Sequence, residues 1–174
     1  MSTKLLIGAV LCATTATVWA HGPTRQKVTE TVTVAASPEA VWERIGDFGA
    51  MHGWHPVVES TETTNGSQPG SIRTLHLKGG GTIVEELTKH SAEERRFSYR
   101  MKDPGPLPVT NYSSTLSVAA DTGGKSVVEW RGAFYRGDPN GDPAPEKNDE
   151  AAIAAVTGVY KTGLENLKKL VEGK

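Results

Sequence analysis

Cysteine is nearly missing from this sequence. Its 174 residues hold one, Cys12, and nothing after it. The rest of the chain therefore has no disulfides, no thiol nucleophile and no cysteine-ligated zinc or iron–sulfur centre, and packing must supply its stability. An excess of charge of either sign is lacking too. Nineteen Lys and Arg stand against twenty Asp and Glu, a formal net charge of −1. That balance gives no overall attraction to nucleic acid or to an anionic membrane. The apolar stretch Leu5 to Cys12 is shorter than the ~20 residues a membrane span needs, and it turns Thr-rich at its end.

What the N-terminus does contain reads as a targeting segment. Lys4 gives the positive charge, Leu5 to Cys12 the apolar region, and Val18-Trp19-Ala20 a small-x-small cleavage signal. Cleavage after Ala20 leaves a chain beginning at His21. Leu11 occupies the place where lipidation of Cys12 would want a small residue, so the expectation is an exported, soluble protein of a bacterial periplasm.

Alternating Val with Thr and Glu makes Val28 to Val34 a strand with one buried face. Ser37-Pro38-Glu39 opens a helix, with Ser37 as N-cap and Pro38 at the first helical position, running to about Gly46. A second short helix is expected within Asp47 to Pro56. Strands follow at Val57–Thr64, Ile72–Lys78, Thr82–His90, Arg95–Lys102, Thr110–Ala120 and Ser126–Arg136, with Gly79-Gly80-Gly81 making one tight hairpin. Asp103 to Pro108 contains three prolines and cannot continue a ladder.

The chain closes with a long helix, Asp149 to Glu172. At 100° per residue Ile153, Val156, Tyr160, Leu164, Leu167 and Val171 share one arc, with Asn148 as N-cap and Gly173 at the end. Six successive strands with short connections predict an antiparallel meander, curled around that helix in a single α+β domain.

These elements, with Val41-Trp42-Glu43, Gly46-Asp47-Phe48-Gly49, Trp54-His55-Pro56, Gly70-Ser71-Ile72-Arg73, Val84-Glu85-Glu86-Leu87, Leu107-Pro108-Val109 and Asn111-Tyr112, resemble the polyketide cyclase/dehydrase and lipid-transport family. That family belongs to the Bet v 1-like, START-related helix-grip superfamily. The resemblance runs from about Lys27 to Leu170 and implies a curved sheet of about seven strands around a C-terminal helix, with two short helices after the first strand. His21-Gly22-Pro23-Thr24, Phe134-Tyr135-Arg136-Gly137-Asp138 and Asn148-Asp149-Glu150-Ala151-Ala152 are similar to MxaD-type periplasmic accessory proteins of methanol oxidation. The implied partners are methanol dehydrogenase and its cytochrome c.

Strand alternation aligns Arg73, Leu75 and Leu77 on one face. It does the same for Ile83, Glu85 and Leu87, for Phe97, Tyr99 and Met101, for Tyr112, Ser114, Leu116 and Val118, and for Val128, Trp130, Gly132 and Phe134. The resemblance turns these faces toward a cavity and implies Glu85 and Tyr112 as pocket positions. The candidate ligand-binding set is thus Trp54, His55, Arg73, Leu75, Glu85, Tyr99, Tyr112, Ser114, Trp130, Phe134, Tyr160 and Gly163, mainly apolar with a few polar groups, as small-molecule sites are. Glu85 and Arg73 have two readings, a satisfied internal ion pair or a ligand contact and general base. Trp54-His55-Pro56 is expected near the cavity mouth, where Trp54 caps the core and His55 titrates near neutral pH. Gly163 is expected to leave room for the sheet or for a ligand.

No cofactor or metal is expected. His52 and His55 lie three apart, and His21 would offer an amine and an imidazole to copper, but no carboxylate partner is nearby. Asp138 to Asp142 resembles the start of a calcium loop, yet Pro143 stands where glycine is required. Three functions remain. The first is a non-enzymatic accessory protein of methanol oxidation, which can also hold a hydrophobic molecule. The second is a lipid or ligand carrier. The third is a cyclase-like enzyme using Glu85 and His55 as base and acid, with Arg73 stabilising an enolate.

Overall fold

The computed structural model describes residues 22–173, so the stretch expected to be a signal segment, Cys12 and His21 lie outside the described residues. Nine regular elements follow in order: β1 (Gln26–Val34), α1 (Pro38–Ile45), β2 (Val58–Thr63), β3 (Ile72–Leu77), β4 (Thr82–Ser91), β5 (Arg96–Asp103), β6 (Val109–Ala120), β7 (Ser126–Arg136) and α2 (Asp149–Glu172). The strands form one antiparallel sheet in the order β1-β7-β6-β5-β4-β3-β2. Short connections place β2 to β7 side by side, and β1 joins the far edge of β7.

Local chemistry sets the boundaries. In α1 the Ser37 hydroxyl accepts from the Ala40 N–H, Pro38 occupies the first turn, and Gly46 ends the helix by donating its N–H to the Trp42 carbonyl at 2.7 Å. A Cβ on Gly46 would lie 2.5 Å from the Trp42 indole. The expected second helix is a single 3₁₀ turn, Met51–Gly53. Gly49, Gly53 and Pro56 leave too short a run for a four-residue hydrogen-bond ladder.

Period-two alternation holds through most of the sheet, with register shifts at Val58/Ser60, Val84/Glu85 and Leu87/Lys89 and a larger one in β6. A bulge in β6 between Thr110 and Ser113, with Asn111 at φ +48°, shifts parity so that Val109 rather than Thr110 is buried.

Helix α2 covers the concave face and packs chiefly on β1 and β7. The Asn148 side-chain oxygen accepts from the Ala151 N–H at 2.8 Å, and Gly173 closes the end at φ 70°. Its buried strip is Ala152, Val156, Tyr160, Gly163, Leu164 and Leu167, with Val171 half-buried. Ile153, expected inside, is 36% exposed. It stands about 60° from Val156 around the helix, against about 40° for Ala152 on the other side, so the smaller residue faces the sheet.

Candidate functional site

The register sets Arg73 of β3 directly opposite Glu85 of β4, both pointing inward. Arg73 Nε–H donates to Glu85 Oε2 at 2.6 Å, and a terminal guanidinium nitrogen donates to the Phe48 carbonyl at 2.9 Å. The guanidinium lies 4.1 Å from the centroid of the Phe48 ring and 5.0 Å from that of Tyr99. Both charges are almost fully buried. Burial pushes the Glu85 carboxyl up, and Arg73 pulls it back down. The two residues form an internal ion pair, the first of the two readings open at the sequence level.

Beside it, four hydroxyls and one indole from four elements meet. Trp130 Nε1–H lies 3.0 Å from the Tyr99 hydroxyl and 3.1 Å from Ser114 Oγ. Ser114 Oγ donates its only proton to the Arg131 carbonyl at 2.8 Å, so at 2.9 Å it must accept from the Tyr160 hydroxyl. Tyr160 then accepts from Tyr112 at 2.5 Å, and Tyr112 accepts from Tyr99 at 3.4 Å. One direction runs through the whole chain: Tyr99, Tyr112, Tyr160, Ser114, backbone carbonyl. Every hydroxyl proton has an acceptor.

Burial raises all three phenols, Tyr99 to about 12 and Tyr112 and Tyr160 well above the ordinary value, so all are neutral donors at physiological pH. Trp130 stacks on Tyr160 with centroids 4.4 Å apart, and Phe134 stacks on Tyr112 at 6.0 Å. Leu75 is buried in the same core. Gly132 is a site residue whose role is not legible from spacing. A Cβ there would run into the Tyr160 hydroxyl, so only glycine admits the phenol to this cluster.

His55 is not at a rim. It is 1% exposed, with Trp54 beside it at 2%. Its ring meets Trp54 and Trp130 edge-on, at 5.7 and 6.0 Å between centroids. Since the Val159 carbonyl only accepts, Nε2 carries the proton it donates there at 3.0 Å. Nδ1 is then an unprotonated, buried nitrogen, and it has no hydrogen-bond partner.

Burial, first, and then the Arg73 charge lower the His55 pKa to about 4, while the Val159 carbonyl opposes them. Titration near neutral pH is therefore corrected: the ring stays neutral and is no proton donor there. The room beside Gly163 belongs to this ring. A Cβ on Gly163 would lie 2.5 Å from His55 Cδ2 and 3.0 Å from Trp130 Cζ3.

A depressed histidine leaves a mark on stability. Above pH 6.5 the ring is neutral whether folded or not and contributes nothing. As pH falls from 6.5 to 4 the unfolded chain takes a proton that the folded one refuses, which costs roughly 3 kcal/mol at 1.36 kcal/mol per unit. His55→Gln keeps a donor for Val159 and should remove this slope. Urea midpoints of the two chains across that window should diverge; parallel curves would mean that His55 does not titrate as described.

The acidic loop after β7 is organised by a cation from the chain itself. Arg136 donates to the Asp138 carbonyl at 2.7 Å, to the Asn140 carbonyl at 2.5 Å and to Asp149 Oδ2 at 3.1 Å. The guanidinium takes Asp149 Oδ2, and Asp138 Oδ1 accepts from the backbone and side-chain amides of Asn140 at 2.9 and 2.6 Å, so these oxygens are held within the chain. His52 is exposed and His55 buried, so the pair does not converge. Among the described residues no group of three or more His, Cys, Asp or Glu is placed to hold a metal ion, and no helix is long and apolar enough to cross a membrane.

A curved antiparallel sheet closed on one face by a long C-terminal helix, with a short helix after the first strand, is the helix-grip fold. The chain matches the model of the family described as polyketide cyclase / dehydrase and lipid transport over residues 25–172, and it belongs to that family. Among solved structures it is similar to the protein XoxI from Bacillus cereus, at 35% identity and a TM-score of 0.72, covering 83% of this chain and 94% of that one. The Zhui aromatase/cyclase from Streptomyces sp. R1128 is 18% identical, with a TM-score of 0.67 over 86% of this chain and 94% of that one. Norcoclaurine synthase from Thalictrum flavum is also 18% identical, with a TM-score of 0.63 over 98% of each chain. At such identity these two share the fold alone. No curated protein matches the chain significantly.

Proposed function

We propose that this chain is a non-enzymatic accessory protein of methanol oxidation, working in the periplasm by promoting contact between methanol dehydrogenase and its cytochrome c acceptor. The observation that carries the non-enzymatic part is the engagement of the interior acid–base groups, with His55 Nδ1 as the exception. Most groups a cyclase would need are already engaged: Glu85 with Arg73, the His55 Nε2–H with Val159, and the tyrosine hydroxyls with one another. The methanol part rests on the likeness of three segments to MxaD-type proteins. Two of them, Phe134–Asp138 and Asn148–Ala152, are tied into one corner by the Arg136–Asp149 ion pair, as a recognition edge on a rigid scaffold would be. Adding the purified protein to methanol dehydrogenase and its cytochrome should raise the rate of electron transfer between them. An unchanged rate at saturating protein overturns the reading.

A second reading, a carrier of a small apolar molecule bearing a hydroxyl, is favoured by one atom. His55 Nδ1 is a buried acceptor with no donor, and a ligand hydroxyl would satisfy it. Native mass spectrometry after gentle purification should then show a bound mass that His55→Phe loses; a wild-type chain that is always bare dismisses the carrier.

A further inference from the structure

The sheet has a second face, which no helix among the described residues covers, and its side chains follow from the register. Two adjacent rows cross its middle. One reads Thr29–Arg131–Thr115–Ser98 from β1 through β7 and β6 to β5, and the next reads Lys27–Ala133–Ser113–Arg100. Lys27 and Arg100 stand at the two ends of the second row, Arg131 projects from β7 within the first, and Thr, Ser and Ala fill the other positions. The result is a depression of about 660 Å³ floored by hydroxyls and walled by cations. Its lining includes three cations and no carboxylate, on a chain whose net charge is −1.

The cations are unequally committed. Arg100 is engaged by Glu86 at 2.9 Å, Arg131 lies 3.8 Å from Glu129, and Lys27 has no ion pair among the described residues.

We propose that this face docks an acidic stretch of a partner protein, seated across the strands between Lys27 and Arg131 on one side and Arg100 on the other. The proposal rests on the reading of a protein that works by contact, and it locates the contact. Charge complementarity selects the occupant. Small-molecule sites enclose their ligand, whereas this depression is open on a sheet face, with its arginines in solvent. From β1 to β5 is three strand spacings, ~14 Å, and carboxylates four residues apart on an extended segment are separated by ~13 Å. Such a segment can meet Lys27 and Arg100 at once, over a floor whose Ser98 and Thr115 hydroxyls already bond each other at 2.8 Å. Binding of this kind depends on salt.

The test uses a fluorescein-labelled decaglutamate peptide, titrated with the protein by fluorescence anisotropy at low and at physiological salt. Wild type should bind it, more weakly as salt rises, and Lys27→Glu/Arg131→Glu should weaken binding on the order of tenfold. Both residues are exposed, so circular dichroism of the variant should be unchanged. Lys161→Glu/Lys169→Glu on the exposed side of α2 makes the same change in net charge and should leave binding within about twofold.

No binding by wild type overturns the docking face, as does an equal loss in the two variants or displacement of the peptide by phosphatidylglycerol vesicles in preference to free glutamate polymer. Electron-transfer assays separate the two readings. If wild type binds decaglutamate through Lys27 and Arg131 yet leaves the dehydrogenase–cytochrome rate unchanged, the methanol reading fails and the docking face stands. If the rate rises and Lys27→Glu/Arg131→Glu raises it equally, the docking face fails.

Discussion

Replacing Arg73 by Met should destabilise the protein by about 3–5 kcal/mol, the usual cost of leaving one member of a buried ion pair alone. The substitution removes the Nε–H bond to Glu85, the bond to the Phe48 carbonyl and the cation above the Phe48 and Tyr99 rings. Met fills the volume but offers no donor, so a carboxylate and a carbonyl are left bare in the core. The double change Arg73→Met/Glu85→Leu should recover most of the loss, because well-packed apolar replacements of a buried pair are often neutral or better. Urea denaturation of the wild type, both single variants and the double variant closes the cycle.

The pH dependence of that cost has a definite sign. Without Arg73, burial acts on Glu85 unopposed and raises its folded pKa further. A carboxyl raised above its unfolded value is most at home when protonated. The extra cost of Arg73→Met should therefore be largest above the raised pKa and shrink as pH falls toward 4.5, the ordinary carboxylate value. Because the Arg73 charge also helps to lower the His55 pKa, the comparison is made in a His55→Gln background, where that contribution is absent from both chains. A cost that is flat in pH would mean that Glu85 already carries its proton in the wild type.

Two glycines of α2 should respond to alanine with opposite signs. Gly158 is exposed with nothing within 4 Å of a new Cβ, so Gly158→Ala should stabilise by about 1 kcal/mol through helix propensity. Gly163→Ala earns the same propensity, but its Cβ meets His55 at 2.5 Å and Trp130 at 3.0 Å. The imidazole is held by its bond to Val159 and by the indoles of Trp54 and Trp130, so it has little room to yield. Overpacking of this kind costs about 1–3 kcal/mol and should outweigh the gain; Gly163→Leu should cost more.

Thermal melts of the three variants decide the matter, and a stabilised Gly163→Ala would mean that the ring moves freely. Combining Gly163→Ala with His55→Ala should cost less than the two single changes added together, since the first then fills space the second has vacated.

Much of this was readable from residue order, for a physical reason. A strand repeats every two residues, so one buried Val or Trp fixes the side of all its neighbours. Arg73, Glu85, Tyr99, Tyr112, Ser114 and Trp130 all face inward as their parity requires. The long helix was equally plain from its caps and its arc. Trp54-His55-Pro56 was not, because one 3₁₀ turn has no period from which to read a buried side. Nor was the hydroxyl chain, which depends on how α2 is rotated about its axis above the sheet. That rotation also buries Ala152 in place of Ile153 and brings Gly163 against the imidazole. The cation-walled depression has another origin again. Parity identifies the outward residues, but only the register shows that Ala133, Ser113, Thr115 and Ser98 lie together between Lys27 and Arg100.

The position of β1 at the far edge of β7 has a kinetic consequence. Its ladder pairs Gln26 with Phe134 and Val34 with Ser126, so each bond closes a loop on the order of a hundred residues, an entropic cost met before any contact rewards it. Helix α2, which covers β1, comes later still, and Lys168 donates to the Thr33 carbonyl at 2.9 Å. A growing chain therefore makes its first strand long before anything exists to bury it. β1 must wait, with its valines bare, until the last fifty or so residues of the sequence, from Ser126 on, arrive, and any partner able to shield that strand in the interval would set how much of the protein reaches its native state.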